Sequence, residues 1–211
     1  MPEEVPWWAV VSSAAAPVLL TGGWAVAGEL QPGHYDPIRQ SVSALAAMGA
    51  TDRWVMTLAF VITAICYMAT GLGLHPAAPA GRLMLLAAGL AGMLVAASPE
   101  PAGGGFSLEH AAWSTLGFAL LAAWPLAAWQ RGPAVAWALR PAVAFGVTVA
   151  IAGLLAWFLA ELATGGGQIG LAERVVGEAQ GLWPLLVVLS CRLSADRPVK
   201  RDTPRRVTLS S

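Results

Sequence analysis

The chain has 211 residues, of which 57% are hydrophobic and only 11% charged, and its mean hydropathy is +0.64. A soluble domain carries about 25% charged residues, so this composition excludes an ordinary water-soluble globule and points to a membrane protein. Twelve basic and twelve acidic residues cancel to zero net charge; that balance carries no signal for nucleic acid, and none is expected among the partners.

A helix needs roughly 20 apolar residues to cross the hydrocarbon core of a bilayer. Six runs serve, at about 8–28, 53–74, 82–98, 108–129, 141–163 and 172–193. The predicted fold is all-α: one domain over residues 1–193, a polytopic bundle of six transmembrane helices. The first run follows "MPEEVPWW", which has two Glu and no basic residue. A secretory leader opens on basic residues, so this run is expected to be a retained helix.

Between the first two runs lies "GHYDPIRQSVSALAAMGA", residues 33–50. Asp36 suits a helix N-cap and Pro37 the first helical position. Ile38, Val42, Leu45 and Met48 recur at helical spacing, with Arg39, Gln40 and Ser43 toward the other face. Gly49 suits the position just past a helix end. Twelve residues, 37–48, span roughly 18 Å, too short to cross. The expectation is a short amphipathic helix in the interface between helices 1 and 2, acting either as a plug or as a lid. Thr51 or Asp52 then caps the second span.

The third run is rich in small residues, with Gly89 and Gly92 on adjoining faces, which allows close helix approach. Pro17, Pro125 and Pro184 fall inside helices, where neighbouring helices can satisfy the freed carbonyls. Cys66 and Cys191 sit in or at the end of apolar runs and read as packing groups, not a disulfide. In "SLEHAAWST", Ser107 is the expected N-cap of the fourth helix and Glu109 favours its dipole. His110 shares a face with Ser114 and is either a structural donor or a proton carrier. Glu161 precedes the glycine-rich "TGGGQIG" turn, which carries Gln168, before the sixth helix. In "GLAERVVGEAQGLW", Arg174 and Glu178 are four apart on one face, and Glu178 lies roughly 10 Å into the helix. A carboxylate at that depth wants a partner, and Arg174 is the expected one.

With six spans, both termini share one side. That side holds nine of the twelve basic residues, and the other holds only Arg39, Arg53 and Arg174. The positive-inside rule therefore puts both termini in the cytoplasm of the bacterial inner membrane. The tail, residues 194–211, is basic and expected to be disordered, either resting on anionic lipid or simply anchoring the topology. The reactive side chains, His34, Tyr35, Ser41, Glu161 and Glu173 among them, cluster on the outer half. No internal repeat is visible, which counts against an inverted-repeat transporter. No haem-type His pair, zinc spacing, phosphate loop or nucleophile elbow is present, so no cofactor and no metal site are expected.

Three stretches carry a family resemblance. "YDPIRQSVSALAAMGATDRWVM" resembles a tyrosine–aspartate–proline segment followed by a serine-containing helix; "LEH" opens the fourth helix at a histidine; and "GLAERVVGEAQGLW", ending in "CRL", resembles a sixth helix with a basic start and a Trp further in. In this order they resemble the bacterial membrane family called domain of unknown function number 998, over residues from about 29 to 193. The resemblance implies a six-helix fold and assigns no activity. The loop "SPEPAGGG" lacks the cysteines found in many members.

The expected function is that of an accessory protein holding a membrane lipid or other amphiphile in an outward-facing polar cavity. Arg39, Arg174 and Glu178 would grip a polar head group, and Tyr35, Ser41, Glu161 and Trp183 complete the candidate ligand-binding set. The alternative is an intramembrane enzyme acting on a lipid or prenyl substrate, with Glu178 or His110 as acid or base. A small transporter is the second alternative. A protein partner or a homo-oligomer is left open.

Overall fold

In hydrocarbon every backbone polar group must find a partner within the chain, which leaves long apolar runs with helix as their stable form. A computed structural model of the chain describes residues 4–33, 35–103 and 105–195. It contains six long helices: α1 (Trp7–Glu29), α2 (Trp54–Gly73), α3 (Pro79–Ala97), α4 (Leu108–Ala128), α5 (Pro141–Thr164) and α6 (Ile169–Ala195). Among the described residues there is no strand. The helices start and stop within three residues of the expected spans.

α1 to α5 are each long and apolar enough to cross a membrane. α6 is the longest at 27 residues, but Glu173, Arg174, Glu178 and Arg192 interrupt its apolar character. It runs to Ala195, so the expected tail boundary moves two residues later, and residues 196–211 lie outside the described part.

Local chemistry fixes the helix ends. Pro79 and Pro141 open α3 and α5 at positions where no N–H is needed. The Ser107 hydroxyl accepts the His110 N–H at 3.2 Å and starts α4 as expected. Arg82 donates to the carbonyls of Gly71 and Leu72, the last free acceptors of α2.

Each helix packs against its chain neighbours, and α6 returns to α1, so the six close into a ring. Close helix contacts follow the small residues of α3. A Cβ at Gly89 would stand 2.6 Å from the backbone carbonyl of Ala64 and 2.5 Å from Met68 Cγ. α5 is the least embedded helix and buries only Ala144, Ile151 and Phe158. Cys66 and Cys191 are both buried and free. At the end of the ring where the chain begins, Arg192 donates to Val5 O at 2.8 Å. The opposite end is covered by residues 35–53, a strap that joins α1 to α2.

Gly89→Ala should destabilise the bundle by about 1–3 kcal/mol, since a backbone carbonyl cannot step aside without parting two helices. Gly153 in α5 has nothing within 4 Å of a built Cβ, so Gly153→Ala should leave thermal stability unchanged or raise it, because alanine is the better helix former. Paired melting curves in one detergent check the contrast. Equal loss in both variants would mean that the α2–α3 contact is not tight.

Candidate functional site

The strap is not the twelve-residue helix that the sequence predicts. Asp36 does cap its start: Oδ1 accepts the N–H groups of Ile38 at 2.9 Å and Arg39 at 3.3 Å. The turn then stops, and the next regular structure is a single 3-10 turn, Ser43–Ala46. Backbone groups that a helix would have used are bound elsewhere. Arg174 on α6 takes the carbonyls of Pro37 and Gln40 at 2.7 and 3.2 Å. The Tyr35 hydroxyl reaches the carbonyls of Gln40 and Ser41 at 3.0 and 2.8 Å. The Ile38 carbonyl accepts from Leu171 N, and the Val42 N–H donates to Glu173 Oε2 at 2.6 Å. Long-range partners thus replace the local ladder. Of the expected apolar stripe, Val42 and Leu45 are buried, whereas Ile38 and Met48 remain 50% exposed.

Arg174 is the clamp of this assembly. Besides the two strap carbonyls, it donates to Gly170 O at 2.9 Å and to the Tyr35 oxygen at 2.6 Å. Its guanidinium carbon lies 5.5 Å from the ring centres of both Trp24 and Tyr35, close enough for cation–π attraction. Burial pushes the Tyr35 phenol above its ordinary range, against the opposing pull of Arg174. Tyr35 therefore keeps its proton and remains a donor to the strap.

The chain approaches α6 closely at Gly170. A Cβ there would meet the Gln40 carbonyl head on and stand 2.6 Å from that of Pro37. Glycine is required at this point by the docking of the strap.

Behind the clamp lies a polar row that joins His110, a candidate from the sequence, to Ser43, Glu173 and Glu100, a grouping the sequence does not predict. Glu173 is only 7% exposed. Its Oε1 is 3.3 Å from Ser43 Oγ, and Ser43 Oγ is 3.1 Å from His110 Nε2. His110 is 6% exposed, and its Nδ1 lies 2.9 Å from the carbonyl of Ser98. Glu100 Oε1 stands 3.8 Å from Nε2. A carbonyl only accepts, so the Ser98 contact assigns the Nδ1 proton and leaves Nε2 facing Ser43.

Other expected site residues do not join this row. Arg174 and Glu178 form no ion pair: Glu178 instead accepts a hydrogen bond from Thr21 on α1. Arg39 sits 3.6 Å from Asp36 with its side chain 75% exposed. Glu161 Oε2 accepts from Gln168 N at 2.8 Å and shapes the α5–α6 turn. The Ser41 hydroxyl accepts from Ala44 N and starts the 3-10 turn. Trp183 is buried further along α6, edge-on to Trp137 at 6.1 Å. His34 lies outside the described residues. Among the described residues no three His, Cys, Asp or Glu side chains cluster as metal ligands.

Two cavities flank the row. An open groove of about 400 Å3 on the strap includes Tyr35, Gln40, Leu45 and Glu100 in its wall. A second cavity of about 130 Å3 lies inside the ring. Its wall combines Leu20, Phe60, Trp113 and Phe118 with Ser43, Glu173, Thr63 and Gln180. Two of its buried polar atoms, Thr63 Oγ1 and Gln180 Oε1, have no hydrogen-bond partner among the described residues. A larger hollow of about 710 Å3 opens at the other end of the ring, past His75, Arg131 and Arg140, and extends to Ser194 and Ala195, where the described chain stops.

A helical ring with five helices able to cross a bilayer defines a multi-pass integral membrane protein. The chain belongs to the family described as Protein of unknown function (DUF998), which matches residues 13–190 and so takes in the strap, His110, Glu173 and Arg174. No curated protein and no solved structure matches the chain.

Arg174→Ala should free the strap while leaving the helices intact. Amide hydrogen exchange over residues 37–46 should rise roughly tenfold or more, because each lost bond to a charged donor is worth about 1.5–3 kcal/mol. Arg174→Lys should not restore protection, since a single ammonium cannot reproduce the planar fork. Unchanged exchange in Arg174→Ala would show that the strap is held by its apolar contacts alone.

Proposed function

We propose that this protein binds an amphiphile within the membrane, as an accessory or carrier of lipid-like molecules. The single observation that carries this reading is the cavity inside the ring: apolar walls, a carboxylate at the strap end, and two buried polar atoms without partners. An unpaired buried acceptor such as Gln180 Oε1 costs about 1–3 kcal/mol, so a hydrogen-bond donor on a ligand would stabilise the complex there. The same cavity is too narrow for a bulky head group, and its charged side chain is Glu173. Arg174 is turned to the strap and Arg39 to solvent. The reading therefore shifts from a phosphate-bearing lipid to a slender molecule, such as a fatty or prenyl alcohol or amine, whose hydroxyl or amine end enters the cavity while the rest of its chain leaves through the open side. The distribution of basic residues supports six crossings, with both termini in the bacterial cytoplasm and the strap facing outward.

An intramembrane enzyme for a lipid or prenyl substrate is the second reading, favoured by the hydrogen bond between Ser43 and His110.

Native mass spectrometry of the protein from mild detergent, followed by extraction, tests the binding reading. Wild type should retain a small amphiphile of defined mass. Thr63→Val and Gln180→Leu keep the cavity's shape while removing its polar atoms, and each should lower occupancy by roughly tenfold, the equivalent of one hydrogen bond. An empty wild type, or equal retention in both folded variants, would sink the proposal.

A further inference from the structure

The row Glu100–His110–Ser43–Glu173 links the two cavities. Glu100 lines the open groove, Ser43 and Glu173 line the cavity inside the ring, and His110 is buried between them. Four elements supply the row: the α3–α4 loop, α4, the strap and α6. None of these links makes the ring close, since the helices already pack against one another along its whole circuit.

A serine hydroxyl has one hydrogen. Ser43 Oγ stands between His110 Nε2 at 3.1 Å and Glu173 Oε1 at 3.3 Å. If the imidazole were neutral and the carboxylate ionised, both neighbours would be acceptors and Ser43 could serve only one. The geometry is satisfied throughout when the row holds one more proton. That proton has two homes. In the first, His110 is protonated on both nitrogens; Nε2–H donates to Ser43 Oγ, and the Ser43 O–H donates to the Glu173 carboxylate. In the second, the Glu173 carboxyl donates to Ser43 Oγ, and the Ser43 O–H donates to Nε2 of a neutral imidazole. The Val42 N–H holds Glu173 Oε2 in place, and the Ser98 carbonyl holds Nδ1–H.

We propose that these four residues form a proton relay that charges and discharges Glu173 from the open groove. In the inward step the N–H bond at His110 Nε2 breaks as an O–H bond forms at Ser43. The original Ser43 O–H bond breaks as one forms at Glu173 Oε1. Imidazolium and carboxylate become imidazole and carboxylic acid, with no electron transferred and no co-reactant. Glu100 Oε1 stands 3.8 Å from Nε2, beyond direct hydrogen-bond reach, so the imidazole takes its next proton from the groove beside Glu100 through a bridging water, one O–H bond breaking as the Nε2–H bond forms. The other charged or titratable groups facing Glu173 are Arg174 on its own helix and Tyr35 on the strap; Tyr67 of α2 lines the same cavity. Arg174 is bound to the strap and to Tyr35, so it anchors the relay and does not enter it. The relay gives the ring cavity a proton supply from one side of the molecule only, suited to a ligand that is bound or changed together with a proton. It does not rest on the identity of that ligand.

The test is time-resolved infrared spectroscopy of the full chain in lipid nanodiscs after a pH jump, with no ligand added. The carboxylic-acid band that vanishes in Glu173→Gln identifies the terminal acceptor. In Ser43→Ala the appearance of that band should slow by roughly a hundredfold, in the range by which positioned proton transfer assists reactions. Ser43→Thr, which keeps the hydroxyl, should restore the rate. His110→Gln, which keeps a hydrogen-bonding side chain without a transferable proton, should slow it as Ser43→Ala does, and it serves if Ser43→Ala fails to fold. Equal rates in wild type, Ser43→Ala and His110→Gln would overturn the proposal. So would the absence of any band that depends on Glu173 across the pH range in which the fold persists.

Discussion

One side chain, the guanidinium of Arg174, determines the architecture at the strap end. Residues 37–41 have a capped start and a Pro at the first position, so locally they are ready to be a helix. Arg174 instead removes the carbonyls of Pro37 and Gln40 from that helix and, through Tyr35, holds the carbonyl of Ser41 as well. A single planar cation fixes an irregular stretch of backbone at several points because its donors lie in a rigid fork. That irregular backbone, in turn, aims the Val42 N–H and the Ser43 hydroxyl at Glu173. Without the clamp there is no strap geometry, and without the strap the buried carboxylate loses both of its donors.

The interior of the ring shows a matching division of labour. α1 to α4 pack closely through small residues such as Gly89, and they make a rigid wall. α6 carries the polar chemistry on two faces that do different jobs. Arg174 and Glu178 look outward to the strap and to α1. Glu173, Gly177 and Gln180 line the cavity. Polar residues on a membrane helix face the protein or water because lipid offers them no partners, and α6 meets this constraint on both sides at once.

Much of this was legible in the sequence. The helices follow from unbroken apolar runs, and the Ser107 cap and the Asp36 turn follow from local chemistry that works over three or four residues. The strap was not legible, because its partners lie far along the chain: Glu173 is 131 residues from Val42. Spacing also misled on α6. Arg174 and Glu178 are one turn apart with opposite charges, which on an isolated helix predicts a pair. Thr21 on α1 and the strap carbonyls compete for them, and neither competitor is visible from α6 alone. The neighbouring stripe, Glu173, Gly177 and Gln180 at positions i, i+4 and i+7, was present in the sequence as a polar, small, polar series. It is the one that faces inward.

The Val42 N–H has a role in two equilibria. It seats the strap on α6 and it is a donor to the Glu173 carboxylate, so the position of the strap and the proton occupancy of Glu173 share one free energy. By linkage, the seating of the strap and the protonation of Glu173 alter each other by the same factor. A molecule that lifted the strap at the open groove would be felt at the carboxylate without touching it, and a change of charge in the ring cavity would be felt at the strap. The bundle thus has a means of telling its strap end what its ring cavity holds.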